Sequence, residues 1–131
     1  MNPAPVGIGV DIESVSSFRS RKVSRHRRFY ERLFSNDEMK YCASFRDPAP
    51  HFAVRFCAKE ALVKAARGIL PLHVTDAEVR NDKDGAPSFR PRSKSSSVRR
   101  FFSRYRPLVS LSHTDDQAIA FVILVPKRTA D

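Results

Sequence analysis

At 131 residues, with 41% hydrophobic and 10% aromatic side chains, the chain has enough apolar material for a buried core, which excludes an intrinsically disordered protein. It carries 24 Lys and Arg against 14 Asp and Glu, a formal net charge of +10, and therefore calls for an anionic partner. The longest apolar run, AIAFVILV at residues 118–125, has eight residues, against the about 20 that cross a bilayer, so no membrane span is expected.

Asp11 and Glu13 interrupt the only early apolar stretch, so the start does not read as a signal peptide. Cys42 and Cys57 lack metal-ligand or redox spacing and are expected as reduced thiols in a cytoplasmic protein. One domain over residues 1–131 is expected, ordered over about 6–125 and followed by a basic, disordered tail.

In chain order, residues 6–13 (VGIGVDIE) alternate Val6, Ile8, Val10 and Ile12 with Gly7, Gly9, Asp11 and Glu13. That pattern predicts a strand that buries its aliphatic face and turns glycines and acids to the other. Residues 14–26 are polar and basic, one helical turn or a loop. Residues 27–34 place Phe29 and Leu33, and Tyr30 and Phe34, at helical spacing. Ser35, followed three residues later by Glu38, is a capping box opening a short helix to about Phe45. The run Asp47-Pro48-Ala49-Pro50 reads as a break, and residues 51–67 as a long helix closed by Gly68. Residues 74–81 and 87–90 are extended and flank Asp84-Gly85, a hairpin signal. Residues 93–97 are a polar linker or helix start, leading into a basic helix over 98–105. Residues 108–112 and 118–125 read as strands joined by a turn at 113–117. Strands and helices mix without a βαβ rhythm, so the fold class is α+β.

The charge is concentrated. Residues 19–32 hold seven basic side chains and one acid, and residues 90–106 hold seven more and none. Such patches fit a nucleic acid, a phosphorylated ligand or an acidic protein, and each also fits a solvated basic surface.

The helical stretch RFCAKEALVKA sets Lys59, Glu60 and Lys64 among residues that favour burial. Glu60 and Lys64 are four apart and share a face, which by spacing alone is an ordinary helix ion pair. Asp11 and Glu13 are two apart and leave one face of a strand. With Glu60 they would make three carboxylates between a strand and a helix, hard oxygen donors of the kind that suit Mg²⁺. Lys64, one turn beyond, would then face a phosphate. His26, His51 and His73 show no ligand spacing and read as surface or structural residues.

GIGVDIE, RFCAKEALVKA and SLSHTDDQAIAFV, with the Asp84-Gly85-Ala86-Pro87 hairpin, resemble the 4′-phosphopantetheinyl transferases in order and spacing. In length they resemble the short, single-half members, the holo-acyl-carrier-protein synthases. The resemblance implies an antiparallel sheet packed on a long central helix, and a transferase of lipid and fatty acid biosynthesis. Such an enzyme moves the 4′-phosphopantetheine arm of coenzyme A to a serine of an acidic acyl carrier protein and releases 3′,5′-ADP. By position, Asp11 and Glu60 would bind Mg²⁺, with Glu13 a further ligand as in the larger members. Glu60 would also orient a water or directly assist deprotonation of the serine, and Lys64 would neutralise the phosphate. Arg55 and His113 would contact the nucleotide end of coenzyme A, His113 at its 3′-phosphate. The resemblance also implies a homotrimer, because a single-half chain needs a neighbour to complete its site. Ser17 stands where short members usually carry an Arg, for which Arg19 or Arg21 would substitute; Arg19, Arg21, Arg25 and Arg28, beside the strand that bears Asp11, are the expected docking cations for the acidic carrier. Two rival readings remain, a small basic nucleic-acid-binding protein and a relative that binds coenzyme A without transfer.

Overall fold

In the computed structural model, which describes residues 3–128, six elements precede the first hairpin. Strand β1 (Gly7–Ser14) runs directly into helix α1 (Val15–Arg19). Helices α2 (Arg27–Leu33), α3 (Asn36–Ala43) and α4 (Ala49–Ala66) follow, and a short 3-10 turn (Val74–Asp76) leads to β2 (Ala77–Asn81). Then come β3 (Pro87–Pro91), α5 (Ser96–Arg104), β4 (Tyr105–His113) and β5 (Gln117–Pro126).

β5 lies between β1 and β4 in an antiparallel three-stranded sheet, and β2 and β3 form a separate hairpin. The fold is α+β, with the larger sheet laid against α4. Cys57, Ala58 and Ala61 of α4 and Ala118, Ala120, Val122 and Leu124 of β5 are all fully buried where the two meet. Both cysteines are buried free thiols; burial pushes Cys42 up to about 12 and Cys57 higher still, so neither is a nucleophile at neutral pH.

The faces of β1 are the reverse of the expected ones. Gly7, Gly9, Asp11 and Glu13 face α4, and Ile8, Val10 and Ile12 are 65%, 49% and 62% exposed. Glycine explains the inversion. A Cβ at Gly7 would lie 2.1 Å from the Ala65 carbonyl oxygen, and one at Gly9 would lie 2.0 Å from that of Ala61. Strand and helix backbones are in contact here, and only glycine permits it.

Other boundaries moved for local reasons. The Pro48–Pro50 run begins α4 instead of preceding it, since prolines suit a first turn whose N–H groups have no helical partner. Gly68 is not in the left-handed region; among the described residues only Gly85, in the β2–β3 turn, has positive φ, at 86°. β4 begins at Tyr105, three residues earlier than predicted, and accommodates Pro107 because it is an edge strand. His113 is the last residue of that strand, and the turn shrinks to residues 114–116, held by the Thr114 hydroxyl accepting from the Asp116 and Gln117 amides. Of the expected tail, Lys127 is fixed by its amide donating to the Arg104 carbonyl, and residues 129–131 lie outside the described residues.

The predicted capping box of α3 is present in both directions, Ser35 hydroxyl to Glu38 amide and Glu38 carboxylate to Ser35 amide. Glu38 is 1% exposed and does more than cap. Its Oε1 accepts from Lys59 Nζ at 2.6 Å and its Oε2 from the Val79 amide at 3.1 Å. Lys59, fully buried, also donates to the Leu33 carbonyl at 2.5 Å. Burial pulls the Lys59 ammonium below its ordinary pKa, and the Glu38 charge opposes that pull. One ion pair thus ties α3, α4 and β2 together.

Candidate active site

Asp11 and Glu13 project from β1 toward α4 because the two glycines before them set the face. Glu60 and Lys64 project from α4 toward β1. Lys64 does not pair with Glu60, its neighbour one turn earlier. Its Nζ donates to the Val10 carbonyl at 2.9 Å and to Asp11 Oδ1 at 3.2 Å. The side chain of Asp11 is 13% exposed, and its other oxygen, Oδ2, is buried with no hydrogen-bond partner. An orphaned carboxylate oxygen inside a protein is costly unless a cation or proton meets it.

The neighbouring acids register the same strain. Glu13 is raised to about 7, first by burial and then by the Asp11 charge. Glu60 is also raised, first by burial and then by Asp11, with Lys64 opposing. Among the described residues, no group of three His, Cys, Asp or Glu closes around a metal unaided. A pair of carboxylates suffices for Mg²⁺, which keeps several waters and takes substrate phosphate oxygens as its remaining ligands. The orphaned Asp11 oxygen and the raised Glu60 fit such an ion.

Arg55 and His113 lie elsewhere. Arg55 and Glu60 are five positions apart on α4, so their side chains leave the helix about 140° apart. Arg55 is 3% exposed; its guanidinium donates to Asn81 Oδ1 at 2.6 Å and lies 4.1 Å from the centre of the Tyr41 ring. His113 shares a cross-sheet row with Ala118 and Glu13, two strand spacings or about 10 Å from Glu13. Its ring centre is 5.6 Å from that of His51, which stacks on Phe45 at 3.5 Å. Burial, then the charges of His113 and Arg55, hold His51 below the ordinary histidine pKa. The chain therefore presents two clusters, a carboxylate–lysine centre and a histidine–arginine–aromatic group. The second includes Phe45 and Tyr41, which sequence reasoning passed over, and His51, which it read as surface or structural; the placement of His51 four residues before Arg55 on an apolar helix was the available signal.

The model of the 4′-phosphopantetheinyl transferase superfamily matches residues 7–122. The chain belongs to that superfamily. A holo-[acyl-carrier-protein] synthase of Geobacter metallireducens is 38% identical over 122 residues, covering 90% of this chain and 95% of the relative. Its counterpart from Geobacter sulfurreducens is 38% identical over 120 residues, with 90% and 95% covered. Among solved structures, the Mycobacterium tuberculosis acyl carrier protein synthase superposes with a TM-score of 0.73 at 29% identity, covering 95% of this chain and 100% of that one. A Helicobacter pylori holo-[acyl-carrier-protein] synthase in complex with coenzyme A gives 0.72 at 28% identity, covering 89% and 98%. The phosphopantetheinyl transferase fold and the α+β class expected from the motifs are thus found. No helix among the described residues is long and apolar enough to cross a membrane.

The four arginines expected to dock the carrier, Arg19, Arg21, Arg25 and Arg28, are all exposed, though not all unengaged. Arg19 pairs with Asp47 at 2.7 Å, and the Arg21 guanidinium lies 4.6 Å from the centre of the Phe29 ring.

Proposed function

We propose that this chain is a holo-acyl-carrier-protein synthase, transferring the 4′-phosphopantetheine group of coenzyme A to a serine of an apo-acyl carrier protein and releasing 3′,5′-ADP. The observation that carries the reading is the desolvated Asp11, with one oxygen on Lys64 and the other unpartnered, facing Glu60 in a chain of this superfamily. Asp11 and Glu60 would hold Mg²⁺, with Glu13 beside them, and the ion would supply charge neutralisation at the pyrophosphate. Glu60, raised by burial, accepts the serine proton as the serine oxygen bonds to phosphorus and the bond from phosphorus to the ADP oxygen breaks. Lys64, 42% exposed and fixed by two oxygens of β1, offers its remaining proton to the leaving phosphate. The His113 and Arg55 cluster receives the nucleotide end of coenzyme A.

The enzyme works as a homotrimer. Ile8, Val10 and Ile12 of β1 align in register with Ile123, Phe121 and Ile119 of β5 on the sheet face away from α4. A row of aliphatic side chains this exposed is the signature of an interface. A neighbouring copy packed there would bring its histidine cluster toward this chain's carboxylates, which within one chain stand about two strand spacings from His113. The carrier docks on Arg19, Arg21, Arg25 and Arg28, and the setting is the cytoplasm and fatty acid biosynthesis. A nucleic-acid-binding reading leaves Asp11, Glu13 and Glu60 without a role. The deciding experiment is incubation with coenzyme A, Mg²⁺ and an apo-carrier. Mass spectrometry should find one phosphopantetheine added per carrier; coenzyme A binding with no transfer would overturn the assignment. Equilibrium sedimentation should find a trimer, and a fully active monomer would refute the shared site.

A further inference from the structure

A cavity of about 830 Å³ opens between α1, the 20–26 segment, α2, α3 and the start of α4, away from the carboxylate centre. Its nearest α4 residue to that centre is Phe52, eight positions or about 12 Å along the helix from Glu60. Neither Asp11, Glu13, Lys64 nor His113 lines it. The volume is that of a small-molecule site.

Its chemistry is divided between floor and rim. Phe18, Tyr30, Met39 and Phe52 line it and are all buried. The one polar atom on these side chains, the Tyr30 hydroxyl, already donates to the carbonyls of Phe18 and Arg21. A sugar, a nucleobase or a peptide backbone would leave its own polar groups unpaired there. An aliphatic chain would not. The charged lining is five cations, Arg19, Arg21, Lys22, Arg27 and Lys40, against the single carboxylate of Asp47, which Arg19 already holds. The rim is therefore complementary to a negative head.

We propose that this cavity is a second binding site, taking a medium- to long-chain aliphatic carboxylic acid with its tail on the aromatic floor and its carboxylate among Lys22, Lys40 and Arg21. The tail gains affinity with each methylene buried, and the head is held by charge that salt screens.

The test is titration calorimetry with octanoate, decanoate and laurate below their micelle concentrations, and is independent of any transfer assay. The dissociation constant should fall by about fourfold per added methylene. Dodecyltrimethylammonium, with the opposite head charge, should bind at least tenfold more weakly than laurate. Ala43→Trp fills the cavity from an exposed position on α3 and should abolish binding. Lys22→Glu with Lys40→Glu, both exposed, should weaken it at least tenfold. Thermal melts of these variants should match the parent protein, which separates lost binding from lost fold. Affinity indifferent to chain length, or unaffected by Ala43→Trp in a folded protein, would overturn the proposal. So would displacement of laurate by coenzyme A, which would place it at the carboxylate centre.

Discussion

Gly9→Ala is the substitution through which the fold and the site can be tested together. The added methyl carbon would lie 2.0 Å from the Ala61 carbonyl oxygen and 2.8 Å from the Ala65 amide nitrogen, against the 3.4 Å at which ordinary contact begins. Both obstacles are α4 backbone, so no side chain can swing aside. The helix must retreat by about 1.4 Å, the difference between those first and last distances. Overpacking of this kind costs about 1–3 kcal/mol, and a backbone obstacle places this case near the upper end. For a chain of this size that is a fall in Tm of roughly 10 °C. The same retreat separates Asp11, two residues beyond Gly9, from Glu60, the residue before Ala61. A displacement of about 1 Å at reacting groups can lower a rate about 100-fold. Differential scanning fluorimetry and the carrier mass-shift assay would read the two effects separately. Gly68→Ala is the control, because nothing lies within 4 Å of its added carbon and its φ is not left-handed. It should leave both readouts unchanged. A Gly9→Ala protein with the parent Tm and rate would refute the close backbone contact and the geometry built on it.

Glu60→Gln keeps the side chain's shape and removes its charge, so transfer should drop by at least 100-fold at saturating Mg²⁺ while the melt is unchanged; a near-normal rate would refute both its roles. Because the folded Glu13 sits at about 7, above its ordinary 4.5, folding favours its protonated form, so its contribution is full below about 4.5 and is lost as pH rises through 7. In metal-free protein that loss should be about 1–2 kcal/mol, after allowance for water screening of a partly buried group, and Mg²⁺ should restore stability at pH 8 but not at pH 5. Lys59→Met leaves the buried Glu38 charge with only Arg55 Nε, 3.7 Å away, beside it and should cost about 3 kcal/mol by urea unfolding, whereas Glu38→Gln with Lys59→Met should cost less than the sum of the two singles. Arg21→Glu with Arg25→Glu should raise KM for the carrier at least tenfold and leave KM for coenzyme A within twofold, and wild-type carrier affinity should weaken as salt rises; equal losses for both substrates would place these residues elsewhere.

Local signals were legible where one residue decides the outcome. Ser35 and Glu38 announced their capping box, Asp84-Gly85 its turn, and the period of residues 51–67 its helix. The candidate carboxylates were legible too, since alternation put Asp11 and Glu13 on one strand face. What the sequence could not show is which partner a charge chooses across space. Lys64 had Glu60 one turn away and took Asp11 from another element. Lys59 looked like an outlier on an apolar helix, and its partner was the capping glutamate of α3, 21 residues earlier. Arg55, assigned to the nucleotide end of coenzyme A, also donates to Asn81 and lies over the Tyr41 ring, partners that its place on α4 did not disclose.

The inverted strand is the more instructive case. Periodicity says which residues of β1 share a face, and hydrophobicity then suggests that Ile8, Val10 and Ile12 go inward. Packing overrides that suggestion, because α4 can lie on β1 only where there is no Cβ. Glycine at positions 7 and 9 therefore sends the aliphatic side chains outward and Asp11 and Glu13 toward Glu60. The same choice that assembles the carboxylates leaves an apolar row on the opposite face of the sheet, in register with Ile119, Phe121 and Ile123. His51 and Arg55 leave α4 on another side from Glu60, while His113 stands across the sheet in the row of Glu13. A single packing constraint thus accounts both for the acidic centre and for the exposed apolar row on the opposite face of the sheet.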